Sequence, residues 1–146
     1  MHKLPLSVLV VVHTSEGEFL LLERAQRPGF WQSVTGSLDA PDEPLQRAAA
    51  REVLEETSIA APAAALEPLD VVNTFEIYSQ WRDRYAPGVT HNTEHVYCLR
   101  LPARVPVRIA PREHRAFRWS PWQEAAERCF SWSNRDAIRL LAERGG

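Results

Sequence analysis

Lysine is almost missing from this chain. Of its 17 basic residues only Lys3 is a lysine, and no run of basic residues appears anywhere. With a formal net charge of −2, general binding to nucleic-acid backbones is excluded as a leading role. Cysteine is equally scarce. Cys98 and Cys129 form no CxxC and no zinc-type spacing, which argues against a disulfide scaffold or a thiolate metal site. Long apolar runs are absent too. The stretch from Leu6 to Val12 is far too short to span a bilayer, and His13-Thr14-Ser15-Glu16 after it is no signal-cleavage pattern. The expectation is a cytoplasmic protein with no membrane association. Scattered arginine suits a local phosphate site, and a GC-rich genome would produce the same bias.

The chain is 146 residues long and 45% hydrophobic, enough for one domain over residues 1–146 with a core that needs no disulfide. No repeat or interdomain linker interrupts it. Residues 7–12 (SVLVVV) read as a buried strand, 15–18 as a turn and 19–23 as a second strand. Residues 31–35 read as a short extended piece ending at Gly36, and 37–43 as a loop. The clearest helix runs from Pro44 to Thr57, with Pro44 in its first turn and Leu45, Ala48, Ala49, Val53 and Leu54 at helical spacing. Residues 59–69 read as a loop with a short turn. Strands follow at 71–78, 93–101 and 117–119, with a polar loop over 81–92 and helices over 121–128 and 134–143. Hairpins mixed with one central helix predict an α+β fold, a sheet sandwiched between helices.

The chemistry begins in that helix. Glu52, Glu55 and Glu56 stand at i, i+3 and i+4, on one helical face, where like charges repel. A divalent cation would remove that cost, since Mg2+ takes oxygen ligands and sits naturally between carboxylates and phosphates. Arg51 can pair with a neighbouring carboxylate and orient it. Taken alone, such a triplet is far more often a solvated acidic face.

Its context decides between these. Gly36, then Glu43, then seven residues, then Arg51-Glu52-Val53-Leu54-Glu55-Glu56-Thr57-Ser58-Ile59 closely resembles the Nudix box. Two departures are visible. Six residues rather than five separate Gly36 from Glu43, so either the loop carries an insertion near Pro41 or Asp42 takes the first acidic position; the kept spacing to Arg51 favours Glu43. Ser58 stands where the box has glycine, at a turn that favours positive φ.

The resemblance implies a Nudix-type α/β/α sandwich with a mixed central sheet. It also implies a Mg2+-dependent pyrophosphohydrolase in which Glu52 and Glu56 are metal ligands. Glu55 would be a further or water-mediated ligand, and Arg51 a supporting catalytic residue. Three further stretches, at 30–36, 84–94 and 131–135, are similar to the branch of the family that cleaves dihydroneopterin triphosphate to the monophosphate and pyrophosphate in folate synthesis. That branch implies Glu113 as a third metal ligand or general base. It implies Lys3, Arg24, Thr35, Phe75, Glu76, Ile77, Tyr78 and Ser131 as substrate contacts. A flat ring needs an apolar slot with polar groups at its edge. Phe75, Tyr78 and Trp31 could stack on it, and Glu76 could accept from its amino group. Arg84, Tyr85 and Asn92 either shape the site or form a structural loop. Trp119, Trp122 and Trp132 are expected to pack, and His114 to lie in a loop.

The partner implied is a small-molecule triphosphate, with no nucleic acid, membrane or obligatory protein partner. Two other readings remain. A house-cleaning nucleoside triphosphate pyrophosphohydrolase would use the same metal site. A catalytically silent nucleotide-binding Nudix module would be expected to have lost a box glutamate, and here all three are present.

Overall fold

The computed structural model of the chain describes residues 2–145. Seven strands form one mixed sheet: β1 (Leu6–Thr14), β2 (Glu18–Arg24), β3 (Trp31–Gln32), β4 (Val34–Ser37), β5 (Glu67–Glu76), β6 (His91–Leu101) and β7 (His114–Pro121). The path runs β3-β2-β1-β6-β5, with β4 also paired to β1 and β7 to β2. β1 and β6 are parallel from Leu6↔Thr93 to Thr14↔Leu101, and the other pairings are antiparallel.

The period of two along β1 divides the core. Val8, Val10 and Val12 face α1 (Leu45–Thr57) and pack with Ala48, Ala49 and Val53. Leu9 and Val11 face α2 (Trp122–Arg128) and α3 (Trp132–Gly145), packing with Ala125, Ala126, Ala137, Ile138 and Leu141. Because both faces of β1 are covered, the strand reads as an unbroken apolar run, as expected of a strand buried between two layers. The result is the α/β/α sandwich with a mixed sheet expected from the sequence.

Several boundaries differ, each for a local reason. Pro44 is not inside α1 but caps it: its carbonyl accepts from the Ala48 amide at 2.9 Å, and its own missing N–H costs nothing there. The extended piece around residue 33 is two strands. Asn134 of α3 intervenes, accepting from the Ser33 amide at 2.7 Å and donating to the Ser33 hydroxyl at 2.9 Å, while the chain passes from the edge of β2 to the edge of β1. β5 begins at Glu67, earlier than the alternation suggested. Pro68 and a register shift before Val72, with Asp70 at φ 58°, disguise its first half. β7 extends to both sides of residues 117–119 because β2 pairs along its whole length. A short 3-10 helix, Ser79–Arg84, occupies part of the segment expected to be loop.

Ser58 closes α1 in the left-handed region at φ 65°, its amide donating to the Leu54 carbonyl at 2.9 Å and its hydroxyl to the Arg108 carbonyl at 3.1 Å. A side chain in that conformation costs about 1 kcal/mol. Ser58→Gly is therefore expected to raise the melting temperature by roughly 2–4 °C despite losing the hydroxyl contact. A thermal scan showing a lower value would mean that the Arg108 contact outweighs the backbone strain.

Candidate active site

Arg51 fastens the box together. Its Nε and Nη2 donate to the two carboxylate oxygens of Glu43 at 2.9 and 3.1 Å, a bidentate pair. Nη1 donates to Glu52 at 2.9 Å and reaches Glu55 at 3.3 Å, and Nη2 reaches the Ser37 carbonyl at 3.3 Å. Glu43 accepts in turn from the Asp39 amide at 2.8 Å. One guanidinium thus ties the loop over 37–43 to α1, and Glu43 rather than Asp42 receives it. Arg51 raises no wall of the cavity described below, and neither do Glu43 and Glu52, which it holds beside it. Glu55 lies outside the cavity as well, with its side chain 54% exposed.

Glu52 and Glu56 are buried. A Cβ on Gly36 would overlap the Glu52 carboxylate, so glycine is required by close approach, not by a turn. Burial pushes the Glu52 carboxyl up to about 7, with Glu55 adding to the rise and Arg51 opposing it. Glu56 is held well above the usual carboxylate range, first by burial, then by the charges of Glu52 and Glu113; the Thr35 backbone pulls the other way. One Glu56 oxygen, Oε1, is buried with no hydrogen-bond partner. Among the described residues no three acidic, histidine or cysteine side chains close around one point as a ready-made metal cage. What is present is a buried carboxylate pair with an orphaned oxygen and a third carboxylate, Glu113, close enough to raise Glu56. An all-oxygen, mutually repelling donor set of this kind fits a hard divalent cation.

Glu56 and Glu113 line one end of a cavity of about 390 Å³ on the α3 side of the sheet. Glu113 sits in the turn before β7, its carbonyl accepting from the Ala25 amide at 2.9 Å. Lys3, Arg24 and Arg84 gather at the same end. Burial lowers the Lys3 ammonium, and the neighbouring guanidiniums of Arg84 and Arg24 lower it further. Arg24 stacks over Trp81 at 4.7 Å and donates to Gln32 at 3.3 Å. This is a basic rim facing acids, suited to phosphates bridged by a cation.

All eight residues expected to contact substrate line this cavity: Lys3, Arg24, Thr35, Phe75, Glu76, Ile77, Tyr78 and Ser131. Ile77 and Tyr78 follow the end of β5 and do not belong to it. Thr35 donates its hydroxyl to the Val8 carbonyl at 3.1 Å. Ser131 caps α3, its hydroxyl accepting from the Asn134 amide at 3.2 Å. Glu76 is at the rim, with its side chain 68% exposed and paired to Arg82 at 3.0 Å.

Other expectations need correction. Trp31 does not reach the cavity; it packs on the α3 side of the core, flanked by the Arg118 and Arg128 guanidiniums. The aromatic wall comes from Tyr78, Trp81 and Phe130, with ring centroids 5.2 to 6.3 Å apart. Trp119 packs against the core as expected, but Trp122 and Trp132 are exposed, and Trp132 stands at the cavity mouth. His114 is no loop residue. It opens β7, is buried against Gln32 at 3.4 Å, and burial pushes its imidazole down to about 4. Asn92 and Glu94, Arg112 and Phe130 also line the cavity; sequence reasoning left Glu94, Arg112 and Phe130 aside. For Glu94 a signal existed: a lone acid in the apolar alternation of β6.

Comparison with known proteins agrees with the fold. The NUDIX domain profile matches residues 3–141. The chain is 45% identical over 141 residues to the dihydroneopterin triphosphate diphosphatase of Escherichia coli K12, covering 94% of this chain and 92% of that one. It is 36% identical over 137 residues to the Haemophilus influenzae protein of the same name, covering 91% and 84%. The solved E. coli dihydroneopterin triphosphate pyrophosphohydrolase superposes with a TM-score of 0.90 at 41% identity, covering 99% of each chain.

Two predictions follow from the buried carboxylates. In metal-free protein Glu52 and Glu56 bind protons more tightly folded than unfolded. Their contribution therefore favours the folded state below the ordinary carboxyl range and is lost as pH rises from 4.5 through about 7. The melting temperature without metal should fall between about pH 5 and pH 8, and a divalent cation should restore it at the upper end; a shallower slope in Glu56→Gln than in the parent would identify Glu56 as part of the source, and an unchanged slope would exclude it. Gly36→Ala should fold but displace the Glu52 carboxylate, weakening cation binding by roughly tenfold or more in calorimetry; unchanged affinity would show that Glu52 can move without cost.

Proposed function

This chain belongs to the NUDIX family, and from that premise we propose that it hydrolyses dihydroneopterin triphosphate to dihydroneopterin monophosphate and pyrophosphate. The observation that carries the reading is the joining of the Glu56–Glu113 end, the basic rim and an aromatic-walled slot in one cavity, in a chain similar to the dihydroneopterin triphosphate diphosphatases along nearly its full length. NUDIX hydrolases work with a divalent cation; the oxygen-only donors here favour Mg2+. Held by Glu52, Glu56 and Glu113, the cation would offset phosphate charge and stabilise the leaving pyrophosphate.

The remaining roles fall to the chain itself. Lys3, Arg24 and Arg84 bind and orient the triphosphate. A water attacks phosphorus, the α–β anhydride P–O bond breaks, and the two products leave as the monophosphate and pyrophosphate. Glu113, exposed and lining the cavity, would take the proton from that water or complete the cation's ligands. Arg51 and Glu43 keep Glu52 aimed. No helix of the described residues is long and apolar enough to cross a membrane, and the proposed small-molecule substrate of folate synthesis supports a cytoplasmic location.

The test is a product assay with Mg2+ in which dihydroneopterin triphosphate and the common nucleoside triphosphates are supplied at equal concentration. Pyrophosphate should appear fastest from the pterin, without orthophosphate. Faster release from a nucleotide would replace this reading with general nucleotide clearance, and no turnover of any of them would leave a binding module. Glu56→Gln should lower kcat by about 10²-fold or more with the fold retained, and Glu113→Gln should lower it by at least tenfold.

A further inference from the structure

The end of the cavity away from Glu56 and Glu113 contains a buried acid that the hydrolytic step does not use. Glu94 on β6 is 5% exposed and lines the cavity. Asn73 donates to it at only 3.4 Å, and the Ser133 hydroxyl is its other partner; no cation is among the groups that act on its carboxyl. Burying a carboxylate with so little compensation is costly unless something else donates to it. Two residues earlier on the same face of β6, Asn92 is also 5% exposed. Its amide nitrogen donates to the Ser7 hydroxyl at 2.7 Å, and its Oδ1 is buried without a partner. The two residues' backbone positions are about 7 Å apart along the strand. Phe75, opposite Asn92 in the ladder, and Ile77 supply apolar surface beside them.

We propose that Glu94 and Asn92 read the ring of the substrate by accepting the adjacent N–H donors of a 2-amino-4-oxopyrimidine edge. That edge presents a ring N–H and an amino N–H side by side, a fork that matches the two oxygens of one carboxylate, as a guanidinium does. The second amino hydrogen is left for Asn92 Oδ1. A dihydropterin has this edge, and so does guanine. Adenine has a ring acceptor where the fork needs a donor and would leave Glu94 buried and unpaired, the kind of mismatch by which a polar site rejects an analogue. Glu76, whose carboxylate is solvated and paired with Arg82, is thereby relieved of that role. The inference rests on the proposed pterin reading for the choice of ligand but not on turnover.

The experiment is equilibrium binding by calorimetry, without metal, of dihydroneopterin monophosphate and of adenosine monophosphate to the parent protein and to Glu94→Gln, with melting temperatures recorded. Glu94→Gln keeps the shape and removes a buried charge, so the fold is expected to survive. The pterin should lose roughly 30- to 100-fold in affinity, while the adenosine ligand changes less than threefold. Asn92→Leu should give a smaller loss with the same selectivity. Equal weakening of both ligands, unchanged pterin affinity in the variant, or no pterin binding to the parent would overturn the assignment. Pterin-selective loss in a protein that does not hydrolyse the triphosphate would sink the proposed reaction and keep this inference. Normal hydrolysis with unaltered binding in Glu94→Gln would do the reverse.

Discussion

Two carboxylates one helical turn apart, Glu52 and Glu56, are kept out of water, and much of the surrounding structure answers to that constraint. Buried acids repel one another and lose hydration, so each must be paired, protonated or bound to a cation. Arg51 meets part of the demand at Glu52. Among the described residues nothing meets it at Glu56 Oε1. The helix carries this cost because the rest of α1 is well anchored: Ala48, Ala49 and Val53 are fully buried against β1, β2 and β4. The apolar stripe supplies the stability that the acidic stripe withholds.

The same constraint explains the loop before the helix. Glu43 is not placed to bind a metal; it engages Arg51 through both oxygens and so fixes the guanidinium that aims Glu52. The extra residue between Gly36 and Glu43 is absorbed in that loop without disturbing the pair. Gly36 then lets the Glu52 carboxylate lie against the β4 backbone, a position no side chain would leave open. Loop, strand and helix form one unit because each holds a different atom of the acidic site.

The cavity separates two kinds of chemistry along its length. At one end cations and acids face each other, where the proposed reaction needs its phosphates. At the other, neutral and acidic acceptors sit among apolar walls, where the proposed ring contact would lie. Strand parity brings the cavity's lining to one face: Ser7 and Leu9, Asn92 and Glu94 all point to the α3 side, where the cavity lies, while Val8 between the first pair packs in the opposite layer.

What the sequence determined by itself was local or regular. The helical spacing of Glu52, Glu55 and Glu56, the apolar run of β1 and the α+β layering follow from periods of 3.6 and 2 that short segments express alone. The box spacing carried the family resemblance in the same way, and Glu43 over Asp42 followed from its distance to Arg51. The boundaries of β5 and β7 did not follow, because pairing with β6 and β2 overrides a proline, a bulge and weak alternation. Nor did the division of labour among acids and aromatics. Glu55 and Glu56 are neighbours in sequence, yet one is exposed and the other buried against β4. Trp31 lies near the box but turns away from the cavity, whereas Phe130, a hundred residues on, turns in. His114 and Glu94 are buried only once β7 and β6 take their places in the folded sheet. Which polar atoms are left unpartnered depends on contacts between residues far apart in the chain, and only the assembled sandwich decides it.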